Sequence, residues 1–331
     1  MSKRHEIAVI GGDGVGPEVT QAALAVLAAT GAPLNFTHYQ AGDDCLEQTG
    51  QALPQATLDG ALNSEAVLFG AAGASAADVI LRLRAELKAW ANLRPSKAYP
   101  GVDCLRPETD MMIVRENSEG MYFGGEDEPE PGKATATRVI TDHASYRIAR
   151  CAFEFAIQAG YGKVTAVHKV NVLKKTDKVF LDACRRAAAE FKQIQYEEAL
   201  VDSVAMRMVM KPQDFQVIVT TNLFGDVLSD LAAGLIGGLG MCPSANLGDG
   251  PALFEPVHGT APDIAGQGKA NPTAAILCAA MMLRHLGYAE MAASVEAAVT
   301  GCLASGQTTA DLGGSLGTMG MAQAVIARMG A

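Results

Sequence analysis

The chain has 331 residues, of which 49% are apolar and 19% charged, and a formal net charge of -10. This length suggests two domains, and the apolar content excludes a disordered chain. The acidic balance argues against a nucleic-acid or anionic-membrane surface, either of which needs clustered Lys and Arg. The seven cysteines are scattered, with no CxxC pair, so reduced thiols are expected rather than a zinc site or a disulfide framework. No signal-peptide pattern or transmembrane-length apolar run is read, and the expected location is cytoplasmic.

In chain order, strand-like and helix-like segments alternate as in an α/β protein. Residues 6–10 predict a buried strand, followed by the Gly-rich turn GGDGVGPEV and a helix over 18–30. Further strands are expected at 66–70, 111–115, 163–168 and 216–221, with a helix over 78–90. The last three strands end in polar residues (RENSEG, HKVN, TTN), and ligands bind outside the carboxyl ends of strands in open parallel sheets. The stretch 124–137 (GGEDEPEPGKATAT) reads by composition as a solvated loop.

The Gly-rich turn is not a dinucleotide fingerprint. Its glycines follow GxGxG, with Pro17 at the helix start, and no acidic residue closes a second strand about 20 residues on. A plain turn is the better reading. TTNLFGDVLSDLAAG carries a sharper signal: Asp226 and Asp230 stand at i and i+4, about one turn apart on one helix face. Repulsion between them is relieved by a cation, and hard oxygen ligands suit Mg²⁺ or Mn²⁺. The alternative is an exposed acidic face, which the apolar neighbours Leu223, Phe224, Val227, Leu228 and Leu231 make costly.

Arg84, Arg94 and Arg115 are candidate carboxylate ligands because the guanidinium fork grips carboxylates bidentately. Taken singly, each is more readily a surface ion pair, and only their convergence changes that. Tyr122 and Lys169 are candidate proton-transfer groups, whose ordinary pKa values of about 10 and 10.4 a nearby cation would lower.

With these residues in view, the chain resembles the β-decarboxylating dehydrogenase family (isocitrate, homoisocitrate, 3-isopropylmalate and tartrate/D-malate dehydrogenases). The matching blocks run nearly end to end: GDGVGPEV, ANLRP, RENSEGMY, HKVNVLKKTD, VDSVAMRMV, NLFGDVLSDLAAG, FEPVHGTAPDIAG and DLGG. The resemblance implies an isopropylmalate-dehydrogenase-like, non-Rossmann fold of two α/β domains with a cleft between them. Residues 1–90 with 238–331 would form the large cofactor-binding domain and 91–237 the small one. It also implies a homodimer or higher oligomer with shared active sites, in which the acidic stretch 124–137 lies near the dimer-clasping arm.

Carried over by position, Arg84, Arg94 and Arg115 would hold the malate carboxylates. Asp226 and Asp230 would bind the metal with Asp202 of a second copy, and Lys169, also from that copy, would be the base. Tyr122 would be the acid, and Asn171 would line the nicotinamide side. In the segment from Glu255 to Asn271, His258, Gly259 and Asn271 match adenosine positions. Asp263 there matches the acidic ribose ligand that favours NAD over NADP.

The substituent on the malate is less clear. Ile80 and Leu81 occupy positions that are apolar in isopropylmalate dehydrogenases, and an apolar pair leaves a distal carboxylate unpaired. RENSEG and HKVNVLKKTD instead favour the isocitrate and homoisocitrate branches. The expectation is therefore a tricarboxylate, with isopropylmalate as the alternative and tartrate or D-malate third. A non-catalytic regulatory subunit would lack one of the metal or proton-transfer residues, and none is missing. A binding protein built on the Gly-rich turn would leave the later blocks unexplained.

Overall fold

The computed structural model describes residues 4–330. It is a mixed α/β protein. The first part of the chain runs β1 (His5–Gly12), α1 (Gly16–Thr30), β2 (Leu34–Tyr39), α2 (Asp43–Thr49), α3 (Gln55–Leu62) and β3 (Ala66–Ala71). A five-residue π turn (Ala77–Leu81) then leads into α4 (Arg82–Glu86) and β4 (Ala91–Lys97). The middle comprises β5 (Asp110–Glu116), β6 (Glu126–Glu130), β7 (Lys133–Ala136), α5 (Asp142–Ala159), β8 (Lys163–His168) and α6 (Thr176–Glu190). It continues with β9 (Gln195–Leu200), α7 (Val201–Met210), β10 (Val217–Thr220) and α8 (Asn222–Ile236). Last come β11 (Pro243–Leu247), β12 (Ala252–Pro256), α9 (Thr273–His285), α10 (Ala289–Ala304) and α11 (Thr318–Met329).

The chain forms two compact units. The first contains the residues up to Ala89, Ala98–Pro107 and those from Ile236 onward; the second contains Trp90–Lys97 and Glu108–Leu235. Residues 98–107 thus group with the first unit, although the expected division places them in the second.

In the first unit the strands lie in the order β2-β1-β3-β12-β11, all parallel except the β11–β12 pair. Every residue of β3 (AVLFGA) is buried, as expected of a parallel strand covered on both faces. In the second unit the order is β4-β5-β10-β8-β9, with β4 antiparallel to β5 and the rest parallel. The carboxyl ends of β5, β10 and β8 therefore share one sheet edge, and Arg115, Asn222 and Lys169 sit at or just beyond them.

Two expected elements differ. The helix over 78–90 is broken. The π turn shifts the phase ahead of Arg84, and α4 closes with Lys88 N–H donating to the Ala85 carbonyl and Ala89 N–H to that of Arg84. Lys88 then adopts φ 53 so that the chain can turn into β4. The stretch 124–137 is no loop but an exposed two-stranded ribbon, with Glu126 opposite Ala136 and Glu130 opposite Lys133. A two-stranded ribbon is all edge, so Pro129 costs it little.

Candidate active site

In the second unit, Asp226 on α8 is the convergence point. The Arg115 guanidinium donates to its Oδ1, Arg94 Nη1 lies 3.1 Å from the same oxygen, and the Tyr122 hydroxyl donates to Oδ2. Arg94 Nη1 is also 3.7 Å from Asp230 Oδ1. The arginines are buried, at 1% and 6% exposure, whereas the Asp226 and Asp230 side chains are 35% and 59% exposed. The pair is therefore neither sunk in apolar surroundings nor a free acidic face. Val227 beside it is 61% exposed, contrary to the expected apolar enclosure, and Leu228 alone of the five neighbours is buried.

Local packing explains how two buried guanidiniums are held. Asn222 Oδ1 accepts from Arg115 Nε (3.2 Å) and Nη2 (2.7 Å). Arg94 donates to Asn92 Oδ1 (2.6 Å) and to the Ser229 hydroxyl (2.6 Å). Gly225 is required, because a Cβ there would lie 2.7 Å from Arg115 Cγ. Asn222, Asn92 and Ser229 escape a search for charged groups. Asn222 and Ser229 could have been found as the helical neighbours, four before and three after, of Asp226.

Burial, with Asp226 adding to it, raises the pKa of Asp230. Burial and then the hydrogen bond to Asp226 raise that of Tyr122, so its hydroxyl keeps its proton. Tyr122 is 39% exposed, and Arg115 stacks 5.3 Å from its ring centre. Asp226 and Asp230 suit a hard divalent cation. However, among the described residues no three His, Cys, Asp or Glu side chains group as a metal site.

Asp202, the expected third ligand, is at the start of α7, where Lys169 Nζ donates to its Oδ1 (2.7 Å). That bond holds the Asp202 carboxyl below its ordinary pKa. Lys169 follows β8, with its backbone N–H donating to Asp177, a fully buried carboxylate paired with Arg138. Asn171 lies exposed in the next turn. Asp177 and Arg138 were not singled out from sequence; only the charges in KKTD and TATR hinted at them.

In the first unit, Arg84 donates through Nε (3.1 Å) and Nη2 (2.7 Å) to Glu255 Oε1, which also accepts from Asn246 Nδ2 (2.7 Å). Glu255 is thus the buried anchor of Arg84, and it does not line the cavity beside His258. Ile80 and Leu81 are half-buried, Ile80 packing onto the core around Val79 and Leu83, while Arg82 points to solvent.

A cavity of about 300 Å³ lies among Val15, Gly240, His258, Gly259, Ile264 and Asn271, with Lys269 and Asp311 at its wall. His258 Nδ1 is 2.9 Å from the Gly259 carbonyl, and its Nε2 is buried with no hydrogen-bond partner. Burial depresses its pKa, keeping the ring neutral. Asn271 Nδ2 donates to Asp311 (3.0 Å). Asp263 is exposed in a short 3₁₀ turn (Pro262–Ile264), and its neighbours Ala261 and Ile264 line the cavity. An apolar-walled pocket with one neutral, unpaired ring nitrogen fits a nucleoside base.

Comparison with known proteins agrees over almost the whole chain. Residues 6–325 match the isocitrate/isopropylmalate dehydrogenase family model. The 3-isopropylmalate dehydrogenase of Methanothermobacter thermautotrophicus is 56% identical over 98% of either chain. The 3-isopropylmalate/3-methylmalate dehydrogenase of Methanocaldococcus jannaschii is 54% identical, covering 98% of this chain and 99% of its own. The isocitrate/homoisocitrate dehydrogenase of Thermus thermophilus is 48% identical, covering 97% and 98%. The crystal structure of isocitrate dehydrogenase from Methylococcus capsulatus superposes with a TM-score of 0.94 at 43% identity, covering 98% of this chain and 99% of that one. The chain belongs to the isocitrate/isopropylmalate dehydrogenase family.

Proposed function

We propose that the protein is an NAD- and divalent-metal-dependent dehydrogenase that oxidises and decarboxylates a 3-alkylmalate, with 3-isopropylmalate as the preferred substrate. The observation that carries this reading is the turn before Arg84: Ile80 and Leu81 are half-buried apolar side chains, and the neighbouring Arg82 faces solvent. An alkyl group is stabilised by such a surface, whereas a distal carboxylate would lose hydration without gaining a partner. Identity supports the same choice, falling from 54–56% with relatives named for isopropylmalate to 48% with the isocitrate/homoisocitrate relative. Both observations favour the isopropylmalate alternative over the expected tricarboxylate.

Arg94 and Arg115 would bind the carboxylates common to all malates, their guanidiniums already oriented by Asn92, Ser229 and Asn222. Asp226 and Asp230, with Asp202 of a second copy, would hold the metal, and His258, Asp263 and Asn271 would hold NAD. When bound, NAD accepts a hydride and the metal acts as a Lewis acid toward the developing enolate. Lys169 in its neutral amine form, oriented by Asp202, would receive the hydroxyl proton. The Tyr122 hydroxyl, which keeps its proton under the influence of burial and Asp226, would return one to carbon.

A homodimer is part of this proposal. Met206, Val209 and Met210 near Asp202 are 57%, 42% and 60% exposed, and Val227 beside Asp226 is 61% exposed. Apolar surface next to each half of an incomplete ligand set marks an interaction face. An NADH-absorbance assay with Mg²⁺ or Mn²⁺ against 3-isopropylmalate, 3-methylmalate, D-malate, isocitrate and homoisocitrate tests the reading. Highest kcat/KM is expected for 3-isopropylmalate; preference for a tricarboxylate would overturn the substrate, and no turnover of any would overturn the enzyme.

A further inference from the structure

The Gly-rich turn after β1 remains without a role in this chemistry, yet its hydrogen bonds reach two separate loops of the first unit. On one side, Asp13 N–H donates to the Ala71 carbonyl (2.8 Å). Asp13 Oδ2 accepts from Gly73 N–H (2.8 Å), and its Oδ1 accepts from Asp43 N–H (2.8 Å). Asp43 in turn accepts from Ala74 N–H and Ser75 N–H, both at 2.8 Å. Two carboxylates thus hold the backbone of residues 73–75. The Ser75 carbonyl then starts the π turn by accepting from Asp78 and Val79 N–H (2.9 and 3.1 Å), and that turn leads into Leu81 and Arg84.

On the other side, Val15 N–H donates to the Thr260 carbonyl (2.9 Å), and Glu18 accepts from Gly268 N–H and Ala270 N–H (3.0 Å each). These belong to the loop that walls the His258 cavity, and Val15 lines that cavity directly. The turn is also wedged by volume. At Gly12 (φ +70) a Cβ would lie 1.8 Å from the Ala71 carbonyl oxygen, and at Gly14 (φ +59) one would lie 2.2 Å from that of Thr260. A Cβ at Gly42 or Gly73 would fall 2.2 Å or 2.0 Å from the Asp13 or Asp43 carboxylate, so a side chain there would displace the carboxylate from the N–H groups it holds. The turn therefore touches both loops with backbone that cannot be padded.

We propose that the GDGVGPE turn is a two-sided clamp. Asp13 and Asp43 position the loop that launches the Leu81–Arg84 segment, Glu18 positions the cofactor-side loop, and filling the His258 cavity tightens residues 73–75 through the turn. The substrate and cofactor roles of those loops rest on the function proposed above; the clamp itself rests on the hydrogen bonds. Asp13, Asp43 and Glu18 are positioning residues, because they reach the reacting molecules only through other residues. A rigid, wedged turn transmits displacement because packed interiors have discrete arrangements rather than soft ones.

The test is amide hydrogen exchange on the full protein, wild type, Asp43→Asn and Glu18→Gln, with and without NAD, alongside steady-state kinetics. Losing an acceptor of this kind should speed exchange about tenfold at the amides it held. Asp43→Asn, whose amide keeps one acceptor oxygen, is expected to do so at one of Ala74 and Ser75 while sparing Gly268 and Ala270, and to raise KM for 3-isopropylmalate several-fold with kcat nearly kept. Glu18→Gln should do the reverse, with the KM rise on NAD. In the wild type NAD should slow exchange at 73–75, and at equal NAD saturation Glu18→Gln should blunt that slowing. Equal loss of protection in both loops from either variant would reduce the clamp to general stability and overturn it. So would unchanged exchange at 73–75 on adding NAD to the wild type, an arm that needs no variant to fold. Failure of the wild type to turn over any malate would defeat the proposed function and leave the exchange result to decide the clamp.

Discussion

The two units hold their candidate sites by opposite means. In the second, charged side chains do the holding: two buried arginines and a tyrosine converge on one aspartate, and each guanidinium is oriented by a side-chain oxygen. In the first, the cavity is walled mainly by apolar residues and glycines, and carboxylates one step away fix the loops through their N–H groups. Recognising small, doubly charged carboxylates requires fixed charge, whereas a nucleoside face requires shape and a few unpaired polar atoms. Under the proposed function the charged half is also the incomplete one. Its third acidic group, Asp202, is bonded to Lys169, whereas the cavity in the first unit lies within a single unit of one chain.

The largest expected effect breaks the charged half. Asp226→Ala removes the shared acceptor of Arg94, Arg115 and Tyr122 and one proposed metal oxygen, and should lower kcat/KM by about 10³-fold or more, several kcal/mol of transition-state stabilisation. Lys169→Ala should lower kcat by about 10²–10⁴-fold, the usual range for a lost proton-transfer group. Mixing the two inactive proteins after unfolding and refolding tests the incompleteness itself. Random pairing makes half the dimers mixed, each with one site that combines an intact Asp226 with an intact Lys169. Activity should therefore return to about a quarter of wild type. A mixture that stays inactive would place both residues in sites made by one chain.

The other half is expected to yield by smaller steps. Asp263→Ser should raise KM for NAD roughly tenfold and narrow the preference over NADP, since one repulsive charge against a 2′-phosphate is lost. Steady-state kinetics with both nucleotides measures this, and an unchanged NAD/NADP ratio would remove Asp263 from the ribose site. Leu81→Ala should reduce preference for isopropyl over methyl substituents by about ten- to a hundredfold, the scale of a few methylenes in an apolar pocket.

The same contrast explains what could be read from sequence. Asp226, Asp230, Arg94 and Arg115 are charges at recognisable spacings, and strand ends mark where such groups gather, so that half was largely legible before any coordinates. Asn222, Asn92 and Ser229 were not, because a neutral side chain that orients a guanidinium carries no signature without the geometry. The first unit hid more. Glu255 anchors Arg84 across 171 residues of chain, a pairing that no local pattern reports. The π turn before Arg84 is invisible to a 3.6-residue pattern. Asp13, Asp43 and Glu18 act on backbone N–H groups distant in sequence, which no motif records.

The smallest predicted effect separates the halves by pH. The nearby Ser75 hydroxyl and the backbone N–H groups of Ser75 and Ala74, which donate to it, hold the Asp43 carboxyl below its ordinary pKa. A carboxyl whose pKa is lower folded than unfolded contributes stability that is fully present above the unfolded value, about 3.9, and is lost as pH falls through the folded one. Asp43→Asn should accordingly lower Tm by a few degrees at neutral pH, and the gap from wild type should close as pH falls below about 4. Asp230 has the opposite sign: burial raises its folded pKa, so its ionised form opposes folding at neutral pH and Asp230→Asn should lower Tm less, or raise it. Calorimetry across pH 3–7 distinguishes the two. A gap for Asp43→Asn that stays constant down to the acid limit would mean that its carboxylate charge is not what holds the loop at 73–75.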